Sequence, residues 1–370
     1  MTPKSLIPIL FIISVLNTSV CAQKVVTAER TGLFSDGLAA IMLDNKWSFI
    51  DTDGNSVLKT NHILFIEEYG GFPLFMNGRL AVYDENVNGC GYINKKGELV
   101  IPFRYQAAYG FYDTLAVIRD GFDFYLVDTM GNYTAMIKAA FPSEGTVYKN
   151  GFAIYKKDFL FGYVDGYGNE VIPAKYSEAR DFSEGLAAIK FDYKWGFING
   201  KGETIIEHKF QNEPGKFSCG RSFVQSRDGK WGFMDTTGKM IAEPKYNQVF
   251  PFTNNVAVVS MTDKNYSENF YIIDINDKVV KEFKRSTKSS ENIVLQSGFS
   301  EGLAIAYKGG KKGFIDEKGN VAIDFRFRDV RPFSDGRAYA EITDTKSNKT
   351  KVCFIDKKGN IVFYVEPPQF

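Results

Sequence analysis

Gly298-Phe299-Ser300-Glu301-Gly302 has the G-x-S-x-G spacing of a hydrolase nucleophile elbow, which exposes its serine only at a strand-to-helix corner. An attacking serine also needs a base, and the chain holds two histidines, His62 and His208. Neither histidine recurs with the serine. Ser35, Ser183, Ser218 and Ser334 do recur at the same place in the same phrase, and no helical pattern follows any of them. Ser300 is therefore read as a structural repeat position.

Paired carboxylates could hydrolyse a glycosidic bond if two of them converged across one cleft. The aspartates that stand out are Asp51, Asp128, Asp165, Asp235, Asp316 and Asp356, each three residues before a glycine. That spacing suits turn capping, and equivalent positions in a repeat form a ladder along one edge. Asp51-Thr52-Asp53-Gly54-Asn55 also resembles the start of a calcium loop, but His62 occupies the twelfth position, where a bidentate Glu belongs. His208 lies among variable polar positions and is expected on the surface. Cys90, Cys219 and Cys353 form no Cys-x-x-Cys pair and lie far from either histidine, so neither a disulfide framework nor a zinc site is expected. The segment 281–288 reads as a solvated basic loop. No catalytic residue, metal ligand or cofactor emerges, and the ligand-binding residues stay unknown.

Composition agrees with this. Across 370 residues, 45 basic and 44 acidic side chains leave a net charge of +1, which offers no field for a nucleic-acid backbone. Aromatic residues make up 15% and glycine 34 positions, an unusual richness for a chain built without repeats.

Two phrases recur in fixed order: Phe-Ser-Asp/Glu-Gly before an apolar run, then aromatic-Gly-Phe-Ile-Asp before x-x-Gly. Nine units start near Phe34, Phe75, Phe111, Tyr148, Phe182, Phe217, Phe252, Phe299 and Phe333. The second phrase is sharpest in 46–51, 194–199 and 230–235, which contain Trp47, Trp195 and Trp231. With these residues the chain resembles the WG-repeat (KWG-repeat) family from about residue 30 to about residue 365. The tryptophan position holds Cys90, Phe124, Phe161, Phe270, Lys312 and Val352 elsewhere, which confines any role of the ring to a few units. The resemblance implies a repeat architecture and a binding or scaffold role rather than a defined chemistry.

One unit reads as three short strands, illustrated by 186–189, 195–198 and 203–206, with glycine punctuation too frequent for helices. The last two strands are joined by Asp/Asn-x-x-Gly, a type I turn with a following bulge. Unit 7 places Asp277 at the glycine position, which tolerates the left-handed region better than most residues. Pro102, Pro173 and Pro244 are read as stopping the third strand, and Tyr105, Tyr176, Phe210, Tyr246 and Phe327 as rivets onto the next unit. The expected fold is all-β: about nine stacked three-stranded meanders in an open superhelical solenoid. A closed propeller-like toroid is the alternative. Units of about 35 residues favour the open form, because a four-stranded blade usually takes about 40 to 45.

Residues 1–22 read as a signal peptide: Lys4, an apolar core over 6–16, and Val20-Cys21-Ala22 before Gln23. A lipid on Cys21 is the lesser alternative, since a small residue does not precede it. Residues 23–370 form the repeat domain, with no further stretch long enough to anchor it in a membrane. The expected product is a secreted, periplasmic or envelope protein of a bacterium. It is expected to be non-enzymatic and to hold a protein or peptide, with a glycan held on exposed aromatics as the alternative.

Overall fold

The structure is a computed structural model that describes residues 24–59, 63–64, 72–137, 147–286, 288–344 and 347–368. Residues 1–22, read above as a signal peptide, together with Gln23, His62 and Thr287, lie outside the described residues. Among the described residues the chain forms nine antiparallel sheets in sequence order, with one short 3-10 turn at Ser289–Glu291. They close into a ring, a nine-bladed β-propeller.

Closure overturns the open solenoid. Lys24–Thr27 leaves the first blade and pairs in parallel with Ile361–Glu366 of the last, Lys24 opposite Phe363 and Thr27 opposite Glu366. The contacts between blades 9 and 1 also repeat those between neighbours elsewhere. In most blades an aromatic of the third strand packs edge-on against the opening Phe of the next blade, as with Phe49 on Phe75, Phe197 on Phe217, Phe233 on Phe252 and Phe314 on Phe333, at 4.9–5.0 Å between centroids; Leu126 and Ile272 take this place in blades 3 and 7. Phe354 meets Phe34 in the same way at 5.3 Å. Such edge-to-face pairs add about 0.5–1.5 kcal/mol each beyond the area they bury.

Among the described residues eight blades have four strands of their own, not three; blade 6 lacks only the short first one, so its last strand, Met240–Tyr246, corresponds to the fourth strand elsewhere. In blade 5 the four are Glu178–Ala179, Leu186–Phe191, Lys194–Asn199 and Thr204–Phe210. The short first strand was missed because it holds only two residues of regular pairing before the phrase Phe182-Ser183-Glu184-Gly185. That phrase is itself a hairpin turn: Glu184 and Gly185 have φ of 52° and 80°, as a type I′ turn requires. Four strands fit into about 35 residues because the turns are minimal and one residue, such as Gln106 or Ser177, links a fourth strand to the next first strand. The length argument for an open stack therefore fails.

The Asp-x-x-Gly turns form as expected. Gly54 N–H donates to the Asp51 carbonyl at 2.9 Å, and Asp277 adopts φ 65° in place of glycine. The rivets also hold: Tyr105, Tyr176, Tyr246 and Phe327 are buried with the opening residues of the following blade, while Phe210 is half-buried. Phe283 is a further rivet opposite Phe270, so the start of the 281–288 segment is strand rather than loop.

The prolines do not stop pairing. Pro102, Pro173 and Pro244 lie inside fourth strands, where a bulge absorbs them before the rivet pairs again. In blade 5, Trp195 lies opposite Phe210 and Phe197 opposite Ile206, so two steps on one strand match four on the other. This bulge explains the glycine after the tryptophan. A Cβ on Gly91, Gly162, Gly196, Gly232 or Gly313 would sit 2.4–2.6 Å from a fourth-strand carbonyl oxygen. In the four other blades Ser48, Tyr125, Tyr271 and Cys353 take that position and pair in regular register with Lys59, Met136, Glu282 and Tyr364. Glycine and this second bulge, two residues before the one at the Asp turn, occur together or not at all.

Candidate functional site

The serines and aspartates that suggested chemistry in the sequence are occupied in joining blades and capping turns. Ser300 lies in a strand-to-strand hairpin, and its hydroxyl donates to the Phe333 carbonyl of the next blade at 2.7 Å. Ser35, Ser183 and Ser218 donate likewise to Phe75, Phe217 and Phe252, and Ser334 donates to Phe34 across the closure. The acid that follows four of these serines clips the next turn: Asp36 accepts from Gly78 N–H, Glu184 from Cys219 and Gly220, Glu301 from Gly336, and Asp335 from Gly37, while Cys219 follows Ser218. Ser300→Ala is expected to lower stability by about 1 kcal/mol, the net worth of one hydrogen bond plus the stranded carbonyl, read as a lowered Tm.

The aspartates cap turns one by one. Asp51 Oδ1 accepts from the N–H groups of Asp53 and Asn55, and Oδ2 from the Asn55 amide at 2.7 Å. Asp128, Asp165, Asp316 and Asp356 pair in the same way with Asn132, Asn169, Asn320 and Asn360. Where the first position is Asn94 or Asn199, the partner becomes Glu98 or Glu203. The swap keeps one carboxylate and one amide per turn. This exchange was readable in the sequence and went unnoticed. Partial burial pushes Asp128 upward, but the Asn132 amide and the turn's N–H groups outweigh it and hold the carboxyl below its ordinary value. The calcium-like segment at Asp51 is one of these turns.

Cys90, Cys219 and Cys353 are unbridged. Burial pushes the Cys90 thiol up to about 11 and the Cys353 thiol up to about 12, which keeps both inert near neutrality. His208 is not a plain surface residue. It is half-buried, its ring is 5.6 Å from Phe191, and its Nε2 is buried without a hydrogen bond. Burial holds it below the ordinary histidine value. Among the described residues no group of three or more His, Cys, Asp or Glu side chains could hold a metal. No helix among them is long and apolar enough to cross a membrane.

What stands apart from the repeat is a cleft of about 470 Å³ on blades 4 to 6. Its floor is Phe182, Leu186, Phe197 and Phe223, and its rim carries Lys149, Arg180, Asp181, Glu213 and Lys216. Arg180 grips Glu213 with two nitrogens at 2.7 and 2.6 Å and reaches Glu178 at 2.9 Å. The Glu213 carboxylate, then Glu178, raises the guanidinium above its ordinary value, and Lys190 followed by Arg180 lowers Glu178. Arg180 also lies 4.9 Å over the ring of buried Trp195. Trp47 and Trp231 are half-buried, so the tryptophans brace blades rather than stand out as platforms.

The profile of the family described as WG containing repeat matches residues 29–47, 91–121, 161–195, 195–231, 231–266 and 313–344, half of the chain. The chain belongs to the WG containing repeat family. The matched segments include Gly91, Gly162, Gly196, Gly232 and Gly313, the glycines that approach the facing strand. None of the curated proteins matches this WG-repeat chain in sequence. Among solved structures it is similar to a eukaryotic initiation factor, at 9% identity and TM-score 0.54, over 88% of this chain and 94% of that one. A dihydro-heme d1 dehydrogenase aligns at 12% identity and TM-score 0.40, over 91% and 74%. The WD40 domain of Toxoplasma gondii coronin aligns at 13% and 0.31, over 82% of each. At these identities the first likeness is one of fold alone.

Proposed function

We propose that this WG-repeat ring is a non-enzymatic binding scaffold, exported to a bacterial cell envelope or beyond, that holds a protein or peptide partner. One observation carries the reading. The serines and acids of the repeat are committed to blade-to-blade and turn hydrogen bonds, while the cleft on blades 4 to 6 combines an apolar floor with charges of both signs. A floor of Phe182, Phe197 and Phe223 suits an apolar side chain, and Lys149 and Glu213 at the rim suit a flanking peptide backbone and its charges.

Display of random peptides on the chain beginning at Gln23 tests it. Peptides enriched on the wild type should bind the Lys149→Glu, Glu213→Lys double variant about tenfold more weakly. Selected peptides that bind both proteins equally would remove the cleft from the account. A second reading, glycan binding on exposed aromatics, is favoured by a different surface.

A further inference from the structure

Successive antiparallel strands place the turn between second and third strands at the opposite end of each blade from the Ser and Asp turns. Around a ring of equivalent blades these turns share one rim. Four of them carry an aromatic at the tip: Phe122 in blade 3, Phe159 in blade 4, Tyr193 in blade 5 and Tyr266 in blade 7. Their exposures are 95%, 85%, 86% and 92%, so none gains from burial in the fold.

Three of the four also sit in backbone sites that resist them. Phe159, Tyr193 and Tyr266 have φ of 67°, 62° and 60°, a region where a bulky side chain is a steric outlier. Sister blades fill the same places as local chemistry prefers. Gly310 takes the position of Phe159 and Tyr193 in blade 8, and Gly229 takes that of Tyr266 in blade 6. An exposed ring on a strained turn contributes little to the stability of this chain, and a ligand gives it a use.

The surroundings select the ligand. Asp123, Asp158 and Asp192 stand beside the aromatics of three consecutive blades as exposed carboxylates. Lys156, Lys157 and Lys194 lie in the same turns, and the Lys156 ammonium sits 5.6 Å from the Phe159 ring centre. Charges of both signs leave no field for an anionic membrane or for a strongly cationic peptide. Flat apolar faces beside exposed hydrogen-bond acceptors suit a neutral sugar polymer, whose C–H faces stack on rings and whose hydroxyls donate to carboxylates.

We propose that Phe122, Phe159 and Tyr193, with Asp123, Asp158 and Asp192, form a rim site for a neutral β-1,4-linked glycan. The equatorial substituents of such a chain leave axial C–H faces on both sides of each ring, in an extended ribbon that crosses neighbouring blades. The site rests on the non-enzymatic binding reading and names a ligand for a surface distinct from the cleft.

Titration calorimetry with cellohexaose and chitohexaose tests it, with maltohexaose, octalysine and anionic phosphatidylglycerol vesicles as comparators. The wild type should bind at least one β-1,4 hexaose about tenfold more tightly than maltohexaose. The Phe159→Gly, Tyr193→Gly double variant should bind that hexaose at least about tenfold more weakly, while its Tm stays level or rises because glycine relieves both turns. Hexaose binding that is absent, or equal in wild type and variant, overturns the proposal. So does octalysine or vesicle binding that the double variant loses. Mass spectrometry of the recovered sugar separates the two levels: a shortened hexaose contradicts the non-enzymatic reading, while its loss of affinity in the variant still supports the rim site.

Discussion

Gly232→Ala is expected to lower the stability of the protein by about 2–3 kcal/mol, as overpacking against an unyielding neighbour does. The added Cβ would stand 2.5 Å from the Ala242 carbonyl oxygen and 2.9 Å from the Pro244 nitrogen. Both atoms are backbone of the bulge, so relief requires the fourth strand of blade 6 to give up its register and Tyr246 its burial. Gly185→Ala is the control. It places a side chain at φ 80° with open space around it, so it carries backbone strain of about 1 kcal/mol and no collision. Calorimetric melting of the two variants reads the difference. Equal Tm losses would mean that the bulge does not press on the glycine.

Removing the first strand is the second large change. A chain starting at Arg30 lacks the parallel pairing of Lys24–Thr27 with Ile361–Glu366 and the burial of Val26 and Ala28 between the first and last blades. Burial of a valine contributes about 1.5–3 kcal/mol and each ladder hydrogen bond about 1, so a loss on the order of 3–5 kcal/mol is expected. The remaining closure contacts, among them Ser334 to Phe34, Gly37 to Asp335, Arg337 to the Thr52 carbonyl at 2.6 Å and Phe354 packed on Phe34, then have to hold blades 9 and 1 without it. The truncated chain should melt well below the wild type. An unchanged Tm would show that this strand does not fasten the ring.

Much of the unit was legible because its signals are local. The Asp-x-x-Gly turns, the glycine beside Trp195 and Trp231, and the rivets Tyr105, Tyr176 and Tyr246 are spelled out within one copy. The first strand was not, because Glu178–Ala179 is too short to show alternation. Closure was not legible either. It depends on the small rotation between neighbouring sheets, which no single unit displays, and on Lys24–Thr27, which lies outside the repeat. Pro102, Pro173 and Pro244 misled because proline signals lost pairing without showing whether a strand ends or bulges. The aromatic tips look like ordinary hydrophobic positions until exposure and φ are known. Trp47, Trp195 and Trp231 carry the family resemblance, and Trp195 is buried while the other two are half-buried.

The central claim is that the nine blades close. Spin labels at Thr27→Cys and Pro367→Cys, in a chain beginning at Gln23 with Cys219→Ser so that only the buried Cys90 and Cys353 remain, measure it by double electron–electron resonance. Thr27 pairs opposite Glu366, and neighbouring strands lie about 5 Å apart, so the labels should fall within about 20 Å of each other. Nine sheets stacked without closing, at about 10 Å per layer, would hold them about 80 Å apart. A distribution centred at that longer distance would contradict the ring.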